Sequence, residues 1–184
     1  MSLRTKKTLL AWHFAPSDGR LGYDDGREIK VGETLAVKPP IALCERGLHA
    51  SVRAIDALRY ASGDLACRVE LSGKIVAPKS EDKAVATERT VLAMVDATLI
   101  MPEFIRFTLV YRQPAIVSMF RSAGLVDAAQ SVASVDMENA EFSVIRDVFS
   151  TAWAAASVGA AAAAWDAVNV ELERLLTAAM GIAS

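Results

Sequence analysis

Hydrophobic and polar positions along this chain change rhythm near residue 97. Before that point the apolar runs are short and often alternate, and clusters of turn residues separate them. "TLLAWHF" (Thr8–Phe14) is apolar and aromatic and predicts a strand. "PSDGRLGYDDGR" follows with two Asp-Gly steps, Asp18-Gly19 and Asp25-Gly26, and reads as turns. "EIKVGETLAV" alternates and "IALC" is a short buried run, closed by the turn "ERG". Ser51 then stands as a helix cap for Ala54, Ile55, Leu58 and Ala61, with Gly63 as the stop. "DLACRVELSGKIVAP" predicts two strands hinged at Ser72-Gly73, "KSEDKAVATER" a charged loop, and "TVLAMVD" a strand.

From Ala97 the period becomes helical. Pro114 and Gly124 divide "ATLIMPEFIRFTLVYRQ", "PAIVSMFRSAG" and "LVDAAQSVAS" into short helices. Beyond Asp136, the residues Phe142, Ile145, Phe149, Trp153 and Ala156 share one face. Trp165, Val168, Leu172, Leu175 and Ala179 form a second stripe turned away from the first. One helix over 137–179 would run roughly 65 Å at 1.5 Å per residue, so a break is expected near Ser157–Gly159. Strands first and helices after predict an α+β chain. Residues 1–7 form a leading tail, 8–96 a β-rich domain with one helix after the "GLHAS" turn, and 97–184 a helical region. The Ala-rich helical tail suits close packing, on the β-rich part or on a partner subunit, which predicts a homo-oligomer or a protein partner.

Composition narrows the function classes. The 53% hydrophobic and 23% charged content is that of a globular chain. Residues 1–60 carry ten Lys/Arg against seven Asp/Glu, and residues 113–184 carry three against eight. No basic run exceeds Lys6-Lys7, which argues against nucleic acid. The Ala-rich window 152–170 is too weakly apolar to predict a membrane span. Two cysteines and no secretory pattern at the start predict a cytoplasmic protein.

Cys44, Cys67, His13 and His49 are the soft metal ligands, and their spacing matches no zinc pattern, so no metal and no cofactor is expected. Both cysteines are expected buried and reduced, on apolar strand segments. Cys44 and His49 could also form a nucleophile–base pair across their turn, oriented by Glu45 or Asp56. A plainer reading makes Cys44 core and "ERG" a turn, with His49 bonded to a backbone group and Tyr60 packing the helix on the sheet.

The order "LLAWHF", "GLHAS" and "RYA" resembles the poly(ADP-ribose) polymerase type of ADP-ribosyltransferase. By that resemblance His13 takes the place of the ribose-contacting histidine and Tyr60 that of the stacking tyrosine. His49 falls where the family's first tyrosine stands. His13, His49 and Tyr60 are therefore the candidate catalytic residues, and Glu81, Asp82 and Glu88 stand where a catalytic glutamate would follow in order. Phe14 replaces a glycine that holds the nicotinamide amide, and Ala57 replaces a helix serine with the same task. The resemblance thus implies a degenerate NAD-binding domain. The longer string "LLAWHF…DGR…CERGLHAS…DALRYA…RVELSGKIV" resembles an uncharacterised bacterial and phage domain family, many of whose members continue into an Ala/Trp-rich helical tail. That likeness implies the architecture and leaves the role open. A small sheet domain with a packed helical appendage is read as a non-catalytic binding or accessory module acting through protein partners or self-association.

Overall fold

A computed structural model of the chain describes residues 8–22, 25–78, 82–122, 124, 126–136 and 162–183. The chain is α+β and divides into two compact units, Met1–Leu99 with Leu172–Ser184, and Ile100–Glu171. The expected break near Ser157–Gly159 and the stripe through Trp153 lie outside the described residues. No helix among the described residues is long and apolar enough to cross a membrane.

The first unit is an antiparallel sheet of five strands: β1 (Leu9–Ala15), β2 (Thr34–Ala36), β3 (Leu48–Ala50), β4 (Leu65–Val76) and β5 (Ala84–Asp96). Their order is β1-β4-β5-β2, and β3 pairs with the start of β5. Just past β3, Ser51 exchanges both backbone hydrogen bonds with Trp12 of β1, at 2.7 and 2.9 Å. The ladder β1-β4-β5-β3 therefore returns on itself at one point. Two register shifts along β4–β5, at Arg68/Val69 and at Ser72/Ile75, give the long pair its bends.

The second shift replaces the hairpin expected at Ser72-Gly73. β4 runs through that site as one strand. Gly73 takes φ +73°, where L side chains are strained, and the Thr87 hydroxyl accepts the Lys74 N–H. A glycine step inside an apolar strand therefore marks a bulge here instead of a turn. β5 likewise begins in the stretch read as a charged loop. Ala84, Val85 and Ala86 are buried and outweigh the charges around them.

"IALC" forms no strand. Ala42 and Arg46 close a small turn, and "LHA" pairs with β5 instead. Cys44 tops this turn at φ +65° and is exposed, against the expectation that it is core. Cys67 is buried, as expected.

Helix α1 (Ala54–Leu58) is short, and Ser51 does not cap it. The N-cap is Arg53, without a side-chain cap hydrogen bond, because Ser51 is held in the sheet by Trp12. Glu173 takes over the task from 119 positions away, its Oε1 accepting the Ala54 N–H at 3.1 Å. Glu173 lies on the last helix, α4 (Ala162–Met180), within the part that belongs to the first unit.

Alternation along β1 sorts the core. Ala11 and Ala15 face Val69 and Leu65 across the ladder and join Cys67, Leu71 and Val91 in one buried cluster. His13 shares that face and lies opposite Cys67. Trp12 points the other way, is 1% exposed, and carries the Arg68 guanidinium 4.6 Å from its ring centroid.

In the second unit, α2 (Met101–Ser122) and α3 (Val126–Ala133) are separated at Gly124. Pro114 does not end a helix as expected but sits inside α2. Next to it, the Gln113 amide donates to the Val132 and Val135 carbonyls at 2.8 and 2.9 Å, closing the end of α3.

Candidate functional site

Along β5, Arg89 and Val91 stand opposite Leu71 and Val69 and face the buried cluster, which Ala84 and Ala86 join from beyond the register shift. Val85 and Val91 are buried, and so is Arg89, at 2% exposure. Arg89 pairs across the ladders with Leu71 on β4 and Leu35 on β2, both core residues. A guanidinium is thus set among aliphatic side chains.

One of its nitrogens is satisfied. Nη1 donates to the His49 carbonyl at 2.8 Å. Nε and Nη2 are buried and have no hydrogen-bond partner among the described residues. Burial pushes the Arg89 pKa down to about 10, with Asp25 and the Cys67 thiol opposing that shift and Arg27 adding to it. The Asp25 carboxylate is already engaged. It accepts from Arg27 Nε at 2.6 Å and Nη2 at 2.8 Å.

His13 stands on the same face, across from Cys67. Burial, then the charges of Arg89 and His49, hold its pKa well below the usual imidazole range, so it is neutral at pH 7. Burial also raises the Cys67 thiol to about 11, an inert thiol. His49 is partly buried, and burial lowers its pKa too, with Lys83 and Arg89 contributing. Its Nε2 accepts the Cys44 N–H at 3.1 Å, which leaves the neutral ring's proton on Nδ1. The histidine expected to bond a backbone group does so.

Tyr60 lies elsewhere in this arrangement. It is 48% exposed and does not pack the helix on the sheet. Its hydroxyl donates to Asp82 at 2.9 Å, Arg59 pairs with the same carboxylate at 3.0 Å, and Lys83 stands 4.0 Å over the ring. The Cys44 thiol hydrogen-bonds the Lys83 amine and raises its pKa, so an exposed group of Tyr60, Asp82, Lys83 and Cys44 borders His49.

Arg89 therefore bonds the His49 carbonyl, and His13, His49 and Cys67 all lie within reach of its charge. Tyr60 belongs to the neighbouring exposed group. Glu88 accepts the Ser72 hydroxyl at 2.8 Å, and Glu81 lies outside the described residues.

Residues 23–103 match a domain of unknown function (DUF7666). No curated protein and no solved structure matches. The DUF7666 match runs from β2 through β5 and takes in His49, Tyr60, Cys67 and Arg89. His13, on β1, precedes it.

Among the described residues no group of three or more His, Cys, Asp or Glu could hold a metal ion. In the second unit an open groove of about 430 Å³ is lined by Gln113, Pro114, Val117, Arg121 and Ala133 among others, without a histidine, cysteine or carboxylate. Sequence reasoning missed Arg89 because its segment read as loop. The available signal was a charged residue in step with Val91 at a period of two, directly before an apolar strand.

Proposed function

We propose that the β-rich unit is a non-catalytic binding module. The observation that carries this reading is the charge that reaches both histidines, which is the buried guanidinium of Arg89. Transfer of ADP-ribose develops positive charge on the ribose and needs a carboxylate beside it. A cation at that place raises the barrier. The fixed charge that bears on His13 is Arg89, and those that bear on His49 are Lys83 and Arg89. Of the carboxylates that follow in order, Asp82 is bound to Tyr60 and Arg59, and Glu88 accepts from Ser72. A neutral imidazole with a strongly depressed pKa is also a poor general base at pH 7. Such a set of donors is suited to holding a ligand. The helical region, with Tyr111 and Val126 exposed, is the part of the chain proposed to engage a protein partner or a second copy.

Incubation of the full chain with labelled NAD, followed by nicotinamide release, tests the reading. The expected result is release indistinguishable from buffer. Turnover that disappears in His13→Ala would overturn it in favour of the degenerate ADP-ribosyltransferase.

A further inference from the structure

A buried guanidinium with two empty donors on one edge is an incomplete hydrogen-bonding arrangement. The Nε–H and Nη2–H bonds of arginine are nearly parallel and match two oxygens of one carboxylate or phosphate group. Buried cations are ordinarily paired, since an unpaired one forfeits its hydration without return. Here the described residues do not complete the set. Nη1 is taken by the His49 carbonyl, and Nε and Nη2 remain open. The carboxylate of Asp25, within electrostatic reach, is held in a two-point pair by Arg27.

The surroundings select for a negative group. Within reach of its charge stand His13 and His49, both neutral, and Cys67, a thiol. None supplies negative charge at pH 7. Arg27, 40% exposed, is neutralised by its Asp25 partner, so the uncompensated charge at this place is that of Arg89.

We infer that Arg89 is the receptor of a small oxyanion, a carboxylate or phosphate group that takes Nε and Nη2 side-on within electrostatic reach of His13. The inference rests on the reading of this unit as a binding module and names the chemistry of its ligand. Recognition needs the planar fork and not merely the charge, because two donors in one plane fix the group's orientation as well as its sign. His13 reports occupancy. A negative group within reach of it favours the imidazolium and moves its pKa back up, against the opposing influence of Arg89, His49 and burial.

Acetate and inorganic phosphate are the probes, titrated separately into the full chain at constant ionic strength made up with chloride. The readouts are the His13 imidazole resonances and the unfolding temperature. The expected result is a saturable shift of the His13 signals together with an unfolding temperature that climbs with the logarithm of probe concentration. Arg89→Lys, which keeps the charge but loses the fork, should bind roughly tenfold to a hundredfold more weakly, the worth of a charge-assisted hydrogen bond. Arg89→Met, confirmed folded by circular dichroism, should show no saturation. Saturation by acetate alone identifies a carboxylate ligand, and saturation by phosphate alone a phosphate ligand. Saturation by neither, or equal saturation in Arg89→Lys, overturns the inference. Failure of both anions would leave the non-catalytic reading standing, whereas NAD turnover would sink that reading without touching the anion site.

Discussion

Replacing Arg89 by methionine in anion-free buffer should make the protein more stable. Methionine retains an unbranched chain of similar reach, so the aliphatic contacts of Leu35, Leu71 and Val91 have something to pack against. The substitution removes one hydrogen bond, Nη1 to the His49 carbonyl at 2.8 Å, worth about 1.5–3 kcal/mol for a charged donor. It also removes two buried donors without partners, each costing roughly 1–3 kcal/mol. The orphaned pair outweighs the single bond, and the expected net gain is about 2 kcal/mol, within the range seen when buried charges give way to apolar residues. For a chain of this length that is roughly 4–8 °C in unfolding temperature. Urea unfolding and calorimetry in chloride alone measure it. The His13 resonance supplies an internal check, since loss of the neighbouring cation should raise its pKa. A variant less stable than the parent by more than about 1 kcal/mol would show that the guanidinium is satisfied in solution, and the reasoning would fail.

Acid should weaken the fold through the histidines. His13 and His49 have folded pKa values below 6.5, so between those values and 6.5 the unfolded chain binds more protons. Stability is then full above about 6.5 and falls as pH drops, by up to ~1.4 kcal/mol per unit for each histidine. Urea midpoints from pH 7.5 to 5 should show that slope, and His13→Gln should reduce it; a flat profile contradicts the burial of both rings. Of the two thiols, exposed Cys44 should react with an aromatic disulfide at once, and Cys67, buried and raised to about 11, only after denaturation. Two equally fast thiols would contradict the placement of Cys67. Glu173→Ala should cost about 1 kcal/mol by uncapping α1, read as a lower unfolding temperature, and no loss would mean that water serves the Ala54 N–H equally well.

Much of the fold was legible because local periodicity and burial agree. β1 and the core of β5 are apolar runs that the chain buries, and Gly124 ends a helix where it was expected to. The misreadings share one cause, which is that a local signal met a distant partner. Ser51 has every local property of a cap, but Trp12 claims its backbone for the sheet. Gly73 has the local look of a hairpin, yet β5 runs long enough opposite to hold both sides of it in one ladder. Pro114 lies inside a helix of 22 residues, which extends for two turns beyond it.

The candidate site shows the same limit in sharper form. Histidines and cysteines drew notice because they are rare here, and His13 and His49 do lie within reach of the Arg89 charge. Arginine is common, and one more in "KAVATERT" carries no weight by count. Its meaning comes from parity: a strand drawn back to Ala84 turns Arg89 inward with Val91. At that position local hydrophobic pattern and side-chain chemistry disagree. Such conflicts are expected where a fold gives up stability for a task. An arginine retained for packing alone would be matched by a carboxylate or replaced by an aliphatic residue. Arg89 has neither remedy: its own cluster is apolar or neutral, and Asp25 is bound to Arg27. The stability predicted to return in Arg89→Met is therefore also a measure of what an oxyanion has to supply.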